Sequence, residues 1–204
     1  MTFGELVDHA QKKGCSLLAE KIEQRKGEGF KTYAEPSMRN NSGEVVCAPD
    51  GLKLPLRSDL AFVGSSGEAQ TEYADSSALN FREPVFARWE DKLKIEIHSI
   101  SWDYMHFQLF PPPETETNWD GLKTWFMRWF NAEDEKSPNA DGLSGIVHFI
   151  SDPEVEPDRI EIYVDFGSAP TDALAEFFDE LVKLDIKVCM IGKPCDPAQF
   201  IVKE

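Results

Sequence analysis

The sequence has no long apolar run and no export signal. No stretch approaches the ~18 apolar residues that a membrane-spanning helix requires. The first nine residues lack both the basic start and the apolar segment of a secretory signal peptide. These absences predict a cytoplasmic protein with no membrane partner.

Basic residues are also scarce, because 21 Lys and Arg stand against 37 Asp and Glu for a net charge of −16. Residues 1–60 hold nine of each sign, so residues 61–204, with 12 basic and 28 acidic residues, carry the whole excess. Such a field repels nucleic acid phosphates and attracts basic proteins. We therefore expect no nucleic acid partner. A basic protein partner agrees with the charge, and so does a simple role in solubility.

Motifs that identify an enzyme class are missing. The sequence contains no glycine-rich nucleotide-binding motif, no Gly-x-Ser-x-Gly and no His-Glu-x-x-His. The four cysteines follow no zinc-binding or redox spacing. These absences favour a protein without catalytic activity, although they do not exclude an enzyme.

The N-terminal third predicts a helix followed by irregular chain. Thr2 and Glu5 have the spacing of a capping box, and apolar residues then recur at helical intervals to about residue 25. Two short apolar segments flank Pro49-Asp50-Gly51, which predicts a hairpin. Residues 58–82 are rich in Ser, Gly and acids and predict a long loop. We therefore expect an N-terminal elaboration at 1–83 and an acidic α+β sandwich domain at 84–204.

The C-terminal part repeats one pattern of strand, proline-containing turn and helix. Phe110 ends the first strand and Phe166 ends the second, and each of the two following helices has apolar residues at i, i+3, i+4, i+7 and i+8. The resulting order β-α-β-β-α-β is that of the split βαβ, or ferredoxin-like, arrangement. Two helices would cover one face of the sheet and leave the other face open. The strand order stays unresolved, because an additional strand at 92–100 competes for a place in this sheet.

That additional strand predicts a candidate metal site. If residues 92–110 form a hairpin with Ser101-Trp102-Asp103 as its turn, His98 lies directly opposite His106. Directly opposed Cβ atoms are about 4.5–5.5 Å apart. His98 and His106 could then bind one divalent metal ion, with Glu96 as a third ligand.

The strand at 159–166 extends the candidate site. Its polar side carries Glu161, Tyr163 and Asp165, and in the ferredoxin-like order it neighbours the strand of His106. A histidine among carboxylates can bind metal or transfer protons, which makes His106, Glu161, Tyr163 and Asp165 the candidate catalytic residues. A plain solvated sheet face has the same alternation. His148 lies in an apolar segment and is interpreted as a core or edge histidine with satisfied hydrogen bonds.

Two functions agree with these observations. The first is a binding or regulatory module without catalytic activity, whose acidic C-terminal domain engages a basic protein partner or a second copy of itself. The second is a metal-dependent or acid/base enzyme that uses the histidines and carboxylates of the open sheet face. We favour the first, because the second has no recognisable motif.

Overall fold

A computed structural model describes residues 1–48, 51–65, 67–111 and 117–193. In these residues the chain is a mixed α+β structure with three helices and two sheets. No helix among them combines the length and the apolar character needed to cross a membrane. The helices are α1 (Phe3–Gly27), α2 (Asp120–Phe130) and α3 (Thr171–Lys183).

Helix α1 begins where the sequence predicts. The side chain of Thr2 accepts a hydrogen bond from the backbone of Glu5, and the Glu5 carboxylate accepts one from the backbone of Thr2 at 2.7 Å. This capping box satisfies backbone N–H groups that the first helical turn leaves without partners. Two basic residues in the last turn, Arg25 and Lys26, suit the negative end of the helix dipole.

The strands form one small and one large sheet. The small sheet has the order β1 (Lys31–Ala34), β2 (Leu60–Val63), β3 (Ala69–Glu72). The large sheet consists of β4 (Leu79–Trp89), β5 (Leu93–Ile100), β6 (Met105–Phe110), β7 (Phe149–Ile150), β8 (Glu154–Val155), β9 (Ile160–Asp165) and β10 (Val188–Ile191). Its order is β4-β5-β10-β6-β9-β7, and β8 also pairs with β9.

The predicted hairpin at 92–110 is wrong, because β10 lies between β5 and β6. Ile191 pairs in parallel with Ile97 of β5 and antiparallel with Phe107 of β6. The expected turn residue Trp102 is fully buried instead of exposed, and its ring packs 4.8 Å from that of Phe166. The chain between β5 and β6 therefore enters the core and leaves room for another strand.

The predicted loop at 58–82 is also wrong, since it contains β2, β3 and the beginning of β4.

The predicted hairpin around Gly51 includes residues 49 and 50, which lie outside the described residues. On its flanks Cys47 and Pro55 form an isolated bridge, and the N–H of Ala48 donates to the carbonyl of Leu54 at 3.0 Å. The division of the chain near residue 83 stays a prediction.

Alternation along β6 and β9 separates a core face from a polar face. Met105, Phe107 and Leu109 are fully buried, and they share one cluster with the apolar stripes of α2 and α3. Complete burial of one large apolar side chain contributes about 1.5–3 kcal/mol, so these stripes hold the helices on the sheet. The same cluster includes Leu6 and Val7 of α1. The other face of β6 and β9 carries the polar side chains.

Candidate functional site

The structure separates the two histidines that the sequence predicts as cross-strand partners. His98 lies on β5 and its Nε2 is 2.9 Å from Oε1 of Glu96 on the same strand. His106 lies on β6, with β10 in between, and its carbonyl accepts a hydrogen bond from the N–H of Gly192 at 2.8 Å. The register that would have made His98, His106 and Glu96 ligands of one metal ion is therefore wrong.

His106, Glu161 and Tyr163 do come together on the polar face of the large sheet. Nε2 of His106 is 3.0 Å from Oε2 of Glu161, whose other oxygen accepts from Nε of Arg159 at 2.8 Å. The ring of Tyr163 stacks on His106 at a centroid distance of 4.4 Å and on Tyr104 at 5.1 Å. Asp165, the fourth predicted residue, belongs to a different group.

Asp165 lies in a buried cluster around His148. His148 precedes β7 and its backbone N–H donates to the carbonyl of Asp165, the last residue of β9, at 2.9 Å. Nδ1 of His148 is 2.8 Å from Oδ1 of Asp59 and 3.6 Å from Oδ2 of Asp165. Its Nε2 is 2.9 Å from Oε1 of Glu35. One fully buried imidazole thus faces three carboxylates.

Backbone donors hold each of these carboxylates in place. Ser144 N–H donates to Oε2 of Glu35 at 2.6 Å, and Gly167 N–H donates to Oδ1 of Asp165 at 2.8 Å. Oδ2 of Asp59 accepts from the N–H of Ala74. Each carboxylate therefore accepts a backbone hydrogen bond at one oxygen and directs its other oxygen toward the imidazole.

Gly167 is needed for this arrangement. A Cβ at this position would lie 2.4 Å from the ring of His148, and the backbone has a φ of +51°. Any side chain would collide with the imidazole and strain the turn. The turn after β9 therefore brings Asp165 and the histidine ring into contact.

The charges of this cluster differ from those around His106. Burial disfavours an imidazolium at His148, but the attraction of Asp165, together with hydrogen bonds to Asp165, Asp59 and Glu35, raises its pKa well above the ordinary value. For Asp165 burial dominates and raises the pKa. At His106 burial outweighs the interaction with Glu161 and lowers the pKa. His148 therefore favours the charged form and His106 the neutral form.

A cleft of ≈ 480 Å³ opens beside the His148 cluster. Its acidic lining consists of Asp59, Asp75, Asp103 and Asp165. Two tyrosines, each 57% exposed, also line it. They are Tyr73, which follows β3, and Tyr104, which precedes β6.

Arg57 also lines this cleft, and its guanidinium already forms hydrogen bonds with other groups. It donates to the carbonyls of Phe130 at 2.9 Å, Glu35 at 2.5 Å and Asn131 at 2.7 Å. It also donates to Oδ1 of Asp134 at 2.6 Å. Because these partners orient the guanidinium, Arg57 joins separate segments rather than neutralising the cleft carboxylates.

Sequence reasoning missed Glu35 and Asp59, which come from the segment that has no clear pattern. They lie 113 and 89 residues from His148 along the chain. The available signal was His148 itself, because a histidine in an apolar segment must find polar partners when it is buried.

Comparisons of the chain with models of protein families, with curated proteins and with solved structures give no match. Function is therefore inferred from the two histidine groups and the acidic cleft.

Proposed function

We propose that this protein is a non-catalytic binding module that receives a lysine or arginine side chain of a basic protein partner in the acidic cleft. The observation that carries the proposal is the combination of four carboxylates with two half-exposed tyrosines around one opening. Carboxylates attract a cation at long range, and aromatic faces bind it at short range. The net charge of −16 supports the same class of partner.

Tyr104 is the residue best prepared for this contact. One face of its ring stacks on Tyr163, which limits its freedom to move, while the side chain stays 57% exposed at the cleft. A cation over an exposed aromatic ring gains about 0.5–1 kcal/mol. An aromatic ring held in place before binding loses less entropy on binding.

We further propose that β10, β6, β9 and β7 with α2 and α3 form a ferredoxin-like unit. The order β10-β6-β9-β7 and the antiparallel pairing of all three neighbouring pairs support this arrangement. In it, β4 and β5 extend the sheet beyond β10. The cytoplasmic location remains a prediction from the sequence.

A metal-dependent or acid/base enzyme at His106 is the second candidate. A smaller cleft of ≈ 360 Å³ is lined by His106, Tyr163 and Lys193, among others. The lowered pKa of His106, caused first by burial, makes its imidazole a neutral group that could accept a proton. Glu161 is the carboxylate that would orient it.

Binding of short lysine-rich and arginine-rich peptides tests the first proposal. Fluorescence anisotropy should give affinities that fall as salt concentration rises. Tyr104→Ala should weaken binding about twofold to fivefold, and Asp75→Asn should weaken it by a similar factor. A glutamate-rich peptide should not bind.

Two matched variants serve as controls for this experiment. Tyr33→Ala removes an exposed tyrosine of β1, and Asp91→Asn removes an exposed carboxylate of the turn between β4 and β5. Both should bind the peptides like the unchanged protein. Losses equal to those of the cleft variants, or binding that is insensitive to salt, would contradict a cation-binding cleft. A concentration-dependent dimer that Tyr104→Ala disrupts would point to a second copy as the partner.

A further inference from the structure

We propose that Asp59, His148 and Asp165 form a binding site for one divalent transition-metal ion, with Glu35 as the residue that orients the imidazole. This site lies at the edge of the acidic cleft, where both aspartates contribute to the lining. It shares Asp59 and Asp165 with the cleft proposed to bind basic proteins, but its ligands do not include Tyr104 or Asp75, so different variants test the two proposals.

The ligand atoms converge on one side of the imidazole. One carboxylate oxygen of Asp59, one of Asp165 and one ring nitrogen of His148 all lie within 4.8 Å of one another, and Nδ1 is the nitrogen that contacts both aspartates. Zinc binds nitrogen and carboxylate oxygen at about 2.0–2.2 Å, so tetrahedral ligands are separated by about 3.3–3.6 Å. The distance of 3.6 Å between Nδ1 and Oδ2 of Asp165 fits this spacing. The 2.8 Å contact to Asp59 would have to lengthen by less than about 1 Å.

Glu35 fixes the ring in the orientation that a metal ion needs. Its Oε1 is 2.9 Å from Nε2 and accepts the Nε2 proton, so loss of the Nδ1 proton on metal binding leaves the lone pair of Nδ1 facing the two aspartates. Histidine ligands of metal ions commonly donate their other N–H to a carboxylate in this way. Glu35 is itself held by the N–H groups of Ser144 and Ser168, at 2.6 and 3.2 Å.

The charge balance favours a divalent cation. Even with a charged imidazole, three carboxylates leave this buried cluster with an excess of negative charge. Binding at Nδ1 releases the Nδ1 proton of the imidazolium to solvent, so a divalent ion adds one net positive charge to the cluster and reduces its excess of negative charge by one. Buried charges without full compensation are costly. The nitrogen ligand favours a transition ion such as Zn²⁺ or Mn²⁺ over Ca²⁺.

Access to the site from solvent and the number of its protein ligands also fit a metal ion. The two aspartates line the cleft, so an ion can reach them from solvent. Three protein ligands are typical of sites that keep a position for water or a bound molecule. The pair formed by His106 and Glu161 is less suitable, because it offers one carboxylate and Arg159 already holds that group.

Isothermal titration of the chelator-treated full chain with Zn²⁺ and with Mn²⁺ tests the site. One ion per chain should bind. Asp165→Asn should weaken binding at least tenfold through loss of a ligand, and Glu35→Gln should weaken it about tenfold to a hundredfold through loss of orientation. Asp91→Asn, the exposed control, should change the affinity less than about twofold.

Two outcomes would overturn the proposal. One is the absence of saturable binding to the unchanged protein, and the other is an equal loss of affinity in Asp91→Asn and Asp165→Asn. If Asp165→Asn does not fold, anomalous diffraction from Zn²⁺-soaked crystals of the unchanged protein decides. The peak should lie about 2.0–2.2 Å from the three ligand atoms, and a peak only elsewhere would refute the site.

Discussion

His106 and His148 both contact carboxylates beside the large sheet, but they favour opposite charge states. His106 has one carboxylate partner, Glu161, which also forms an ion pair with Arg159. His148 has three, at 2.8, 2.9 and 3.6 Å. Burial disfavours the imidazolium at both places. The larger number of carboxylates around His148, and the positive charges of Lys193 and Arg159 near His106, give the opposite outcomes.

This difference also separates what the two regions can do. His106 is neutral and lies on a polar sheet face, where Arg159 balances the charge of its carboxylate partner Glu161. The His148 cluster has three carboxylates around one imidazole and lies next to a cleft, so a bound cation would reduce its excess of negative charge. The two histidines therefore provide an internal comparison within one fold.

Replacement of each histidine by glutamine should give the largest contrast. His148→Gln removes the cation from a largely buried group of carboxylates and should lower the free energy of unfolding by about 3–5 kcal/mol. His106→Gln loses a single hydrogen bond to Glu161 and should cost about 1 kcal/mol. Urea unfolding at neutral pH measures both values. Equal losses would mean that the three carboxylates do not depend on His148.

The dependence of stability on pH should show a smaller effect, at most about 1.4 kcal/mol per pH unit for one proton. His148 has a folded pKa above its ordinary value of 6.5. Between these two pKa values the folded state binds more protons, so stability falls as pH rises. In the folded state the pKa of His106 lies below 6.5. Just below pH 6.5 the unfolded state therefore binds more protons, and the stability of the fold rises with pH.

Each histidine variant should remove its own part of this profile. Urea unfolding at a series of pH values should lose the decline above 6.5 in His148→Gln and the rise below 6.5 in His106→Gln. If stability still declines above pH 6.5 in His148→Gln, another group causes the decline, and the charged state assigned to His148 is wrong.

Local patterns predicted much of the fold. The alternation of β6 and β9 assigned His106, Glu161 and Tyr163 to one face, and the apolar stripes of α2 and α3 predicted which helical sides are buried. These features depend on neighbours close in the sequence, and periodicity reports them directly.

The pairing of β10 with β5 and the His148 cluster could not be predicted in this way. β10 pairs in parallel with β5, about 94 residues earlier in the chain, and no turn residue marks such a pairing. Glu35 and Asp59 reach His148 through a small sheet that lacks a strong pattern of its own. Both features result from long-range packing, which periodicity does not encode.

Paramagnetic broadening by Mn²⁺ tests most directly whether the His148 region, and not the His106 region, is where a cation binds. Substoichiometric Mn²⁺ added to ¹⁵N-labelled protein should first broaden the amide signals of Asp59, His148, Asp165 and their neighbours. The signals of His106 and Glu161 should broaden less. Broadening centred on His106, or spread evenly over exposed acidic residues such as Asp91, would contradict the account.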